Sequence, residues 1–247
     1  DIHVPAYVPT IQTAIDIAPN NKTIVVAAGE YFENINIGGM RSYLTLKSES
    51  GPESTIINGG GNGTVLISDC CPVNFTLDGF TLTGGNGNAS AISGPMWKPT
   101  FKNLIIKGNN NGTVMSVHPD STTIENVTIV DNGGLTSNGS DAAIYINYAS
   151  GYFDGDGFLL NNVTISNNAA LLGINFGGSK GENTNFNIIN TVIWDNEDHE
   201  ISIGDNENIP YNINVYNSLI QGGEESIDNQ NTTVNLNYDS SNLTSYP

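Results

Sequence analysis

A six-residue segment that recurs along the chain constrains the fold more than any other feature of this sequence. Each copy carries a central Asn or Gly, which we call the anchor. An apolar residue stands two positions before the anchor, and Leu or Ile stands three positions after it. The copies occupy residues 77–82, 101–106, 124–129, 160–165, 188–193 and 215–220. A repeat with a period of about 20 to 50 residues is typical of a solenoid or a propeller.

The spacing of the anchors distinguishes between these architectures. The anchors are Gly79, Asn103, Asn126, Asn162, Asn190 and Asn217, and successive anchors lie 24, 23, 36, 28 and 27 residues apart. This unequal spacing argues against a propeller or a helical repeat of fixed length, because those architectures need units of similar size. It favours coils whose loops vary in length while their strands stay in register.

The anchors also predict where the chain bends. Asn and Gly tolerate a left-handed backbone, so the anchor column and a second Asn and Gly column six positions after it are predicted to mark sharp bends. Asparagines that stack in one column can hydrogen-bond along the axis. We therefore predict a structural ladder of side-chain amides at Asn103, Asn126, Asn162, Asn190 and Asn217.

Each coil contains a third apolar run besides the two that flank the anchor. This run lies at residues 65–67, 114–117, 143–146, 172–176 and 201–203. Three short strands per coil predict an all-β fold, a single-stranded parallel β-helix with three sheets and about eight to ten coils of roughly 25 residues. Residues 1–247 are predicted to form one domain of this kind.

The two ends of the predicted solenoid differ. Residues 10–18 place their apolar side chains on one helical face behind Thr10 as N-cap, which predicts a capping helix within about residues 1–20. Such a helix covers an apolar end that would otherwise pair with other chains. Residues 233–238 have the pattern of one more strand, and a polar tail follows. Either that tail folds over the last coil or the natural protein continues in a longer chain.

Five stretches near the N-terminus resemble the opening coils of the pectin-lyase-like right-handed parallel β-helix superfamily. They are residues 8–15, 23–31, 33–35, 44–51 and 56–59. The rest of the chain resembles the superfamily through the repeat pattern. The resemblance implies a right-handed β-helix. It implies no particular activity, because the superfamily includes lyases, hydrolases, esterases, adhesins, phage fibres and binding proteins.

The catalytic sets of that superfamily are not recognisable in the sequence. Its pectate lyases combine a calcium cluster of acidic residues with an Arg or Lys base, and the only arginine here is Arg41. Its methylesterases use two aspartates, glutamines and an arginine on one sheet. Its polygalacturonases use paired aspartates with Gly-His-Gly and Arg-x-Lys motifs. The missing motifs favour a protein without catalytic activity.

The chain is strongly acidic. Seven Lys and Arg residues against 25 Asp and Glu residues give a formal net charge of −18. This charge argues against nucleic acids and anionic membranes as partners, because phosphates need cations facing them. A polyanionic glycan would be repelled unless a bound cation intervened. No run of 18 apolar residues occurs, so no transmembrane segment is predicted.

Several features favour a secreted or cell-surface protein. Charged residues make up only 13% of the chain, so solubility depends on amides and hydroxyls. The sequence begins at Asp1 without a Met or an apolar leader, which is typical of a processed or trimmed segment. Asn-x-Ser/Thr triplets are frequent and are typical of a glycoprotein, although a chain rich in Asn and Thr also produces them by chance.

Candidate binding residues lie in the longest insertion of the repeat. Asp154 and Asp156 alternate with glycines, a spacing found in calcium loops, whose hard oxygen ligands match Ca²⁺. A plain turn is the alternative at these two residues. The neighbouring Tyr152 and Phe153 are candidates for stacking on sugar rings or for ordinary packing. No cofactor is required by this interpretation, and calcium is the metal that it suggests.

These observations predict an extracellular or cell-surface domain with a structural, adhesive or fibre-forming role and no catalytic activity. Its partners would be further copies of itself or other surface proteins. Two alternatives stay open. One is a noncatalytic carbohydrate-binding module, and the other is a polysaccharide lyase or glycoside hydrolase that acts on an extracellular glycan.

Overall fold

A computed structural model describes residues 1–39, 41–119, 121–133, 141–148, 157–169, 172–178, 185–196, 199–204, 212–230 and 233–244. The described residues contain a helix, α1 (Ile11–Ile17), a 3-10 turn (Gly223–Ser226) and many short strands. In chain order the strands are β1 (Ile2–Val4), β2 (Thr23–Val26), β3 (Gly29–Phe32), β4 (Ile35–Asn36), β5 (Thr45–Ser48), β6 (Thr55–Asn58), β7 (Leu66–Ile67), β8 (Thr76–Asp78), β9 (Thr81–Thr83), β10 (Ala89–Ser93), β11 (Thr100–Lys107), β12 (Thr113–Val117), β13 (Thr123–Val130), β14 (Ala142–Tyr148), β15 (Phe158–Ser166), β16 (Leu172–Gly178), β17 (Asn185–Ile189), β18 (Val192–Trp194), β19 (Ile201–Ile203), β20 (Asn212–Tyr216), β21 (Leu219–Ile220), β22 (Ile227–Asn229) and β23 (Asn235–Tyr238).

The strands stack in parallel to form a solenoid. The first face has the order β1-β2-β5-β8-β11-β13-β15-β17-β20-β23. The second face consists of β3, β6, β9, the later halves of β11, β13 and β15, and then β18 and β21. The third face is a separate sheet with the order β4-β7-β10-β12-β14-β16-β19-β22. An all-β parallel solenoid is therefore confirmed.

The first and second faces form one bent sheet rather than two separate sheets. Strands β11, β13 and β15 pass through the bend without ending. Lys102 pairs with Glu125 and Leu104 pairs with Val127, whereas the anchors Asn103 and Asn126 fall between the paired positions. The anchor backbones are left-handed, with φ of 53° and 56° at these two residues. A single left-handed residue thus turns the strand while hydrogen bonding continues on both sides of it.

The second predicted bend lies one residue earlier than the sequence pattern suggested. The left-handed residues of that bend stand five positions after the anchors, at Gly84, Gly108, Asp131, Asn167, Asp195 and Gly222. The asparagines six positions after the anchors point inward instead. A third left-handed column, which the pattern did not predict, precedes the first face at Asn21, Tyr43, Asn74, Lys98, Ser121 and Gly157.

The inward asparagines form a buried ladder. Asn109 donates from Nδ2 to Oδ1 of Asn132 at 2.9 Å, and Asn132 donates in the same way to Asn168 at 3.0 Å. Asn168 continues the ladder to Asn196 at 2.9 Å, and Asn196 donates to Oε2 of Glu200 at 2.6 Å. The amides all point in one direction, and a carboxylate accepts the last N–H. Burial raises the pKa of Glu200, although hydrogen bonds from Asn196 oppose that shift.

The interior is filled by stacked aliphatic and aromatic side chains. Phe186 packs between Phe158 and Phe176, at ring-centroid distances of 5.7 and 5.1 Å. Fully burying one such side chain stabilises the fold by about 1.5–3 kcal/mol. The described core extends from Val4 to Ile227 without a break into separate clusters.

Helix α1 is held at both ends by side chains from outside it. Thr10 accepts a hydrogen bond from the Thr13 N–H at 3.1 Å, as expected of an N-cap. The carboxylate of Glu33 accepts the N–H groups of the first two helical residues, each at 2.9 Å. The guanidinium of Arg41 donates to carbonyls at the C-terminal end, including Ala18 O at 3.0 Å. The helix has seven residues, and its action as a plug for the solenoid stays a prediction. No helix in the described part of the chain has the length and apolarity needed to cross a membrane.

Candidate functional site

An open groove follows the bend between the first and second faces. It consists of two adjoining depressions with volumes of about 560 and 570 Å³, which share Asn103 and Asn126. The groove runs across successive coils, so each coil contributes equivalent positions to it. We define the groove by Lys47, Asp78, Lys102, Asn103, Glu125, Asn126, Asn161, Asn162 and Asn190.

A column of alternating charge lies along one side of the groove. Strand register places Lys47 beside Asp78, Asp78 beside Lys102, Lys102 beside Glu125, and Glu125 beside Asn161. Neighbouring positions in such a column are about 4.8 Å apart. Each of these residues stands near the end of its half-strand before the bend, and all of them point away from the core. The two lysines and two carboxylates balance, so the column carries no net formal charge.

Short polar contacts hold the carboxylates in this column. Lys102 Nζ lies 3.6 Å from Asp78 Oδ2, and Asn103 Nδ2 donates to Asp78 Oδ1 at 2.7 Å. Asn161 Nδ2 donates to Glu125 Oε1 at 3.3 Å. Ion pairs that water reaches contribute about 0.2–1 kcal/mol, so these contacts orient the side chains more than they stabilise the fold.

The anchor amides form a second row at the bend itself. Asn126 donates to Oδ1 of Asn103 at 2.7 Å, and Asn162 donates to Oδ1 of Asn126 at 2.8 Å. The predicted ladder of anchor amides does not continue beyond Asn162, because Asn190 donates to Asn161, the residue before that anchor, at 3.0 Å. At Asn217 the described hydrogen bond is a backbone one, from its N–H to Oγ of Ser241 at 2.8 Å.

The row has hydrogen-bonding capacity left for a ligand. A side-chain amide offers two N–H donors and two acceptor lone pairs. The contacts along the row use one donor and one lone pair of Asn126. Asn126 and Asn162 are exposed, so the remaining groups face solvent at intervals of about one strand spacing.

A row of hydroxyl groups lies beside the charged column on the first face. It consists of half-buried threonines that pair in strand register: Thr23, Thr45, Thr76, Thr100 and Thr123. Together with the groove, this row gives the outer surface of the first face a regular pattern of polar groups.

Arg41 and His118 lie outside the groove. Arg41 binds the end of α1, as described above, and burial lowers the pKa of the His118 imidazole. Among the described residues, no three or more His, Cys, Asp or Glu side chains are grouped so as to hold a metal ion. The predicted calcium ligands Asp154 and Asp156, like the predicted stacking residues Tyr152 and Phe153, lie outside the described residues.

The charged column was not predicted from the sequence, although its signal is present there. Asp78, Lys102, Glu125 and Asn161 each stand directly before an anchor. Alignment of the repeats therefore places them in one column. The alternation of sign becomes meaningful only when the strands are known to pair without a register shift at this position, as they do here.

Comparisons with known proteins add solved structures with a similar outline. No family model matches the chain, and no curated protein matches it. The chain is similar to a pectin methylesterase from Aspergillus niger at 14% identity and a TM-score of 0.49, over 99% of this chain and 84% of that one. It is also similar to the A-module of a mannuronan C-5 epimerase from Azotobacter vinelandii at 13% identity and a TM-score of 0.38, over 96% and 94% of the two chains.

Proposed function

We propose that this chain is a noncatalytic, extracellular glycan-binding domain that holds a polysaccharide along the groove. The observation that carries the proposal is the row of amides at Asn103, Asn126 and Asn162, one per coil, of which the last two are exposed, beside balanced charges. The groove crosses six strands of the first face, from β5, which holds Lys47, to β17, which ends just before Asn190. This is a length of about 24 Å. An open groove of this length suits an extended chain of sugars, whose hydroxyl groups both donate and accept hydrogen bonds.

The charges favour an uncharged polysaccharide. The lysines and carboxylates of the groove compensate one another, so no excess positive charge attracts a uronate or a sulfate. The rest of the molecule is strongly acidic, with a formal net charge of −18, and its field repels a polyanion. A binding domain of this kind would serve adhesion at a cell surface. Self-association of the domain and its secretion remain predictions within the same proposal.

A glycan-acting enzyme is the second candidate, and one observation favours it. Asp78 and Glu125 share a column and flank Lys102, so their backbones are roughly 10 Å apart. Carboxyl groups in inverting glycosidases are about 6.5–9.5 Å apart. This candidate requires measurable cleavage of a polysaccharide, which the binding proposal does not.

Binding and cleavage can be measured on the same material. A glycan array followed by calorimetry identifies a ligand, and Asn126→Gly with Asn162→Gly removes two groove amides while glycine still tolerates the left-handed backbone. We expect a loss of affinity of at least about 10-fold, since two hydrogen-bonding groups are removed. Asn217→Gly is the matched control, because Asn217 is a left-handed anchor outside the groove (φ 49°).

The outcomes separate the candidates. Equal binding by the groove variant and the Asn217→Gly control would refute the groove as the binding site. Release of new reducing ends or unsaturated products from a polysaccharide panel, abolished by Asp78→Asn or Glu125→Gln, would replace the binding proposal by the enzyme. Calcium stays a separate proposal for Asp154 and Asp156.

A further inference from the structure

Two large aromatic side chains are exposed at the corner that leads into the first face. Tyr43 is 54% exposed and Trp97 is 44% exposed. Both stand just before strands of that face, Tyr43 before β5 and Trp97 before β11. The groove lies at the other edge of the same face, so the corner is not part of it.

The backbone of Tyr43 occupies a conformation that its side chain does not favour. Its φ is 59°, in the left-handed column that precedes the first face. Equivalent positions in other coils carry Asn21, Asn74 and Gly157, which are residue types that adopt this conformation readily, and also Lys98 and Ser121, which are less bulky near the backbone than an aromatic residue. A bulky aromatic residue there is a true outlier. Strained residues of this kind persist where the surrounding structure fixes them, and they cluster at functional sites.

Hydrogen bonds to the neighbouring coil fix the backbone of both aromatic residues. The Tyr43 N–H donates to Val73 O at 2.8 Å, and the Trp97 N–H donates to Pro72 O at 2.9 Å. Trp97 O in turn accepts the Asn74 N–H at 2.8 Å. Strand β8 lies between β5, which follows Tyr43, and β11, which follows Trp97. The two residues are therefore two strand spacings, or roughly 10 Å, apart along the axis. That separation is close to the length of two sugar units in an extended chain.

We propose that Tyr43 and Trp97 form a second, aromatic subsite that stacks against the rings of an uncharged glycan. This inference rests on the proposed glycan-binding function and adds a contact surface to it. The aromatic rings supply flat apolar faces for the C–H groups of a sugar. The hydroxyl row begins two residues after Tyr43, at Thr45, and three residues after Trp97, at Thr100, within reach of the sugar hydroxyls. Aromatic and hydroxyl groups on one rigid edge match the mixed surface of a pyranose ring.

The test uses four soluble, uncharged hexasaccharides, of glucose, mannose, xylose and N-acetylglucosamine. Trp97→Ala and Tyr43→Asn are each expected to weaken binding about 5- to 10-fold, because a stacked ring is lost. Tyr43→Asn is also expected to raise Tm by about 2–4 °C, since Asn accepts the left-handed backbone. Phe32→Ala is the matched control, because Phe32 is 69% exposed but lies on the second face.

A Trp194→Phe background leaves Trp97 as the sole tryptophan of the chain. In that background, a saccharide that stacks on Trp97 shifts its fluorescence, and saturation transfer from aromatic protons to the sugar reports the same contact by NMR. This readout stays informative in the Asn126→Gly, Asn162→Gly variant, whose groove is impaired. Ring contact that survives there supports the subsite independently of the groove.

Three results would overturn the subsite. The first is a fall in Tm for Tyr43→Asn, which would show that Tyr43 serves packing. The second is equal binding by Trp97→Ala and Phe32→Ala. The third is a complete absence of saturation transfer from the aromatic rings to all four hexasaccharides. If the groove variant loses affinity while Tyr43→Asn and Trp97→Ala keep it, the subsite is wrong and the groove proposal stands.

Discussion

Truncation of one amide in the buried ladder is expected to destabilise the chain far more than truncation of one in the exposed row. The buried change is Asn132→Ala, at a residue that is 3% exposed. Its Oδ1 accepts both the backbone and the side-chain N–H of Asn109, at 3.1 and 2.9 Å. Its Nδ2 donates to the carbonyls of Ile106 and Val130, at 2.9 and 3.0 Å, and to Oδ1 of Asn168 at 3.0 Å.

The size of the effect follows from the groups that lose a partner. A buried polar group left without a partner costs about 1–3 kcal/mol. The Asn109 side chain keeps a second acceptor, Leu82 O at 3.1 Å, so we count the Asn109 backbone N–H and one carbonyl as uncompensated. The expected loss for these two groups is about 2–6 kcal/mol. For a chain of this size that corresponds to a decrease in Tm of about 4–24 °C.

Asn126→Gly provides the exposed comparison. It removes an amide with the same kind of ladder contacts, but water replaces them, so we expect a loss of about 1 kcal/mol or less. Thermal unfolding measures both variants. Because solenoids can unfold in parts, amide hydrogen exchange across residues 104–132 should accompany it. Equal losses for the two variants would refute the claim that burial, not ladder geometry, determines the stabilisation.

Three further predictions concern single sites. Burial raises the pKa of Glu200, so its contribution to stability is full at low pH and is lost as pH rises through the folded-state pKa. Glu200→Gln should remove that decline when the free energy of unfolding is measured as a function of pH. The same pH dependence in variant and wild type would contradict this. Glu33→Gln should lower stability by about 1 kcal/mol, because a neutral amide accepts the two N–H groups at the start of α1 less strongly than a carboxylate. Amide hydrogen exchange in residues 11–17 tests this. Unchanged protection of those amides would show that the carboxylate is dispensable. If Asp154 and Asp156 bind calcium, chelator should lower Tm in wild type but not in Asp154→Asn with Asp156→Asn, and an identical response of both proteins would exclude that site.

The strands and the main bend could be predicted from the sequence because their signals are local. Apolar residues two before and three after each anchor lie in strands on either side of the bend. The anchors themselves are Asn or Gly because a left-handed residue must stand there, as the φ values of Asn103, Asn126 and Asn162 show. Unequal anchor spacing indicated that the loops vary while the strand pairing persists, and the parallel ladders have that property.

The groove could not be predicted from the same signals because it depends on contacts between coils. Lys102 is an ordinary half-buried lysine within its own strand, and it becomes part of a balanced column only when Asp78 and Glu125 pair on either side of it. The two asparagine columns illustrate the same limit. Composition treats Asn126 and Asn132 alike, yet one faces the groove and the other is buried.

Sequence alone determined that this protein is a coil of short parallel strands, because hydrophobic alternation and bend residues act within a few positions of one another. Tertiary structure decided which asparagines stabilise the interior and which are available to a ligand. It also placed the strained Tyr43 and the exposed Trp97 on one corner. The physical reason is that register and side-chain direction are set by how each coil closes upon the one before it, over separations of 23 to 36 residues between successive anchors.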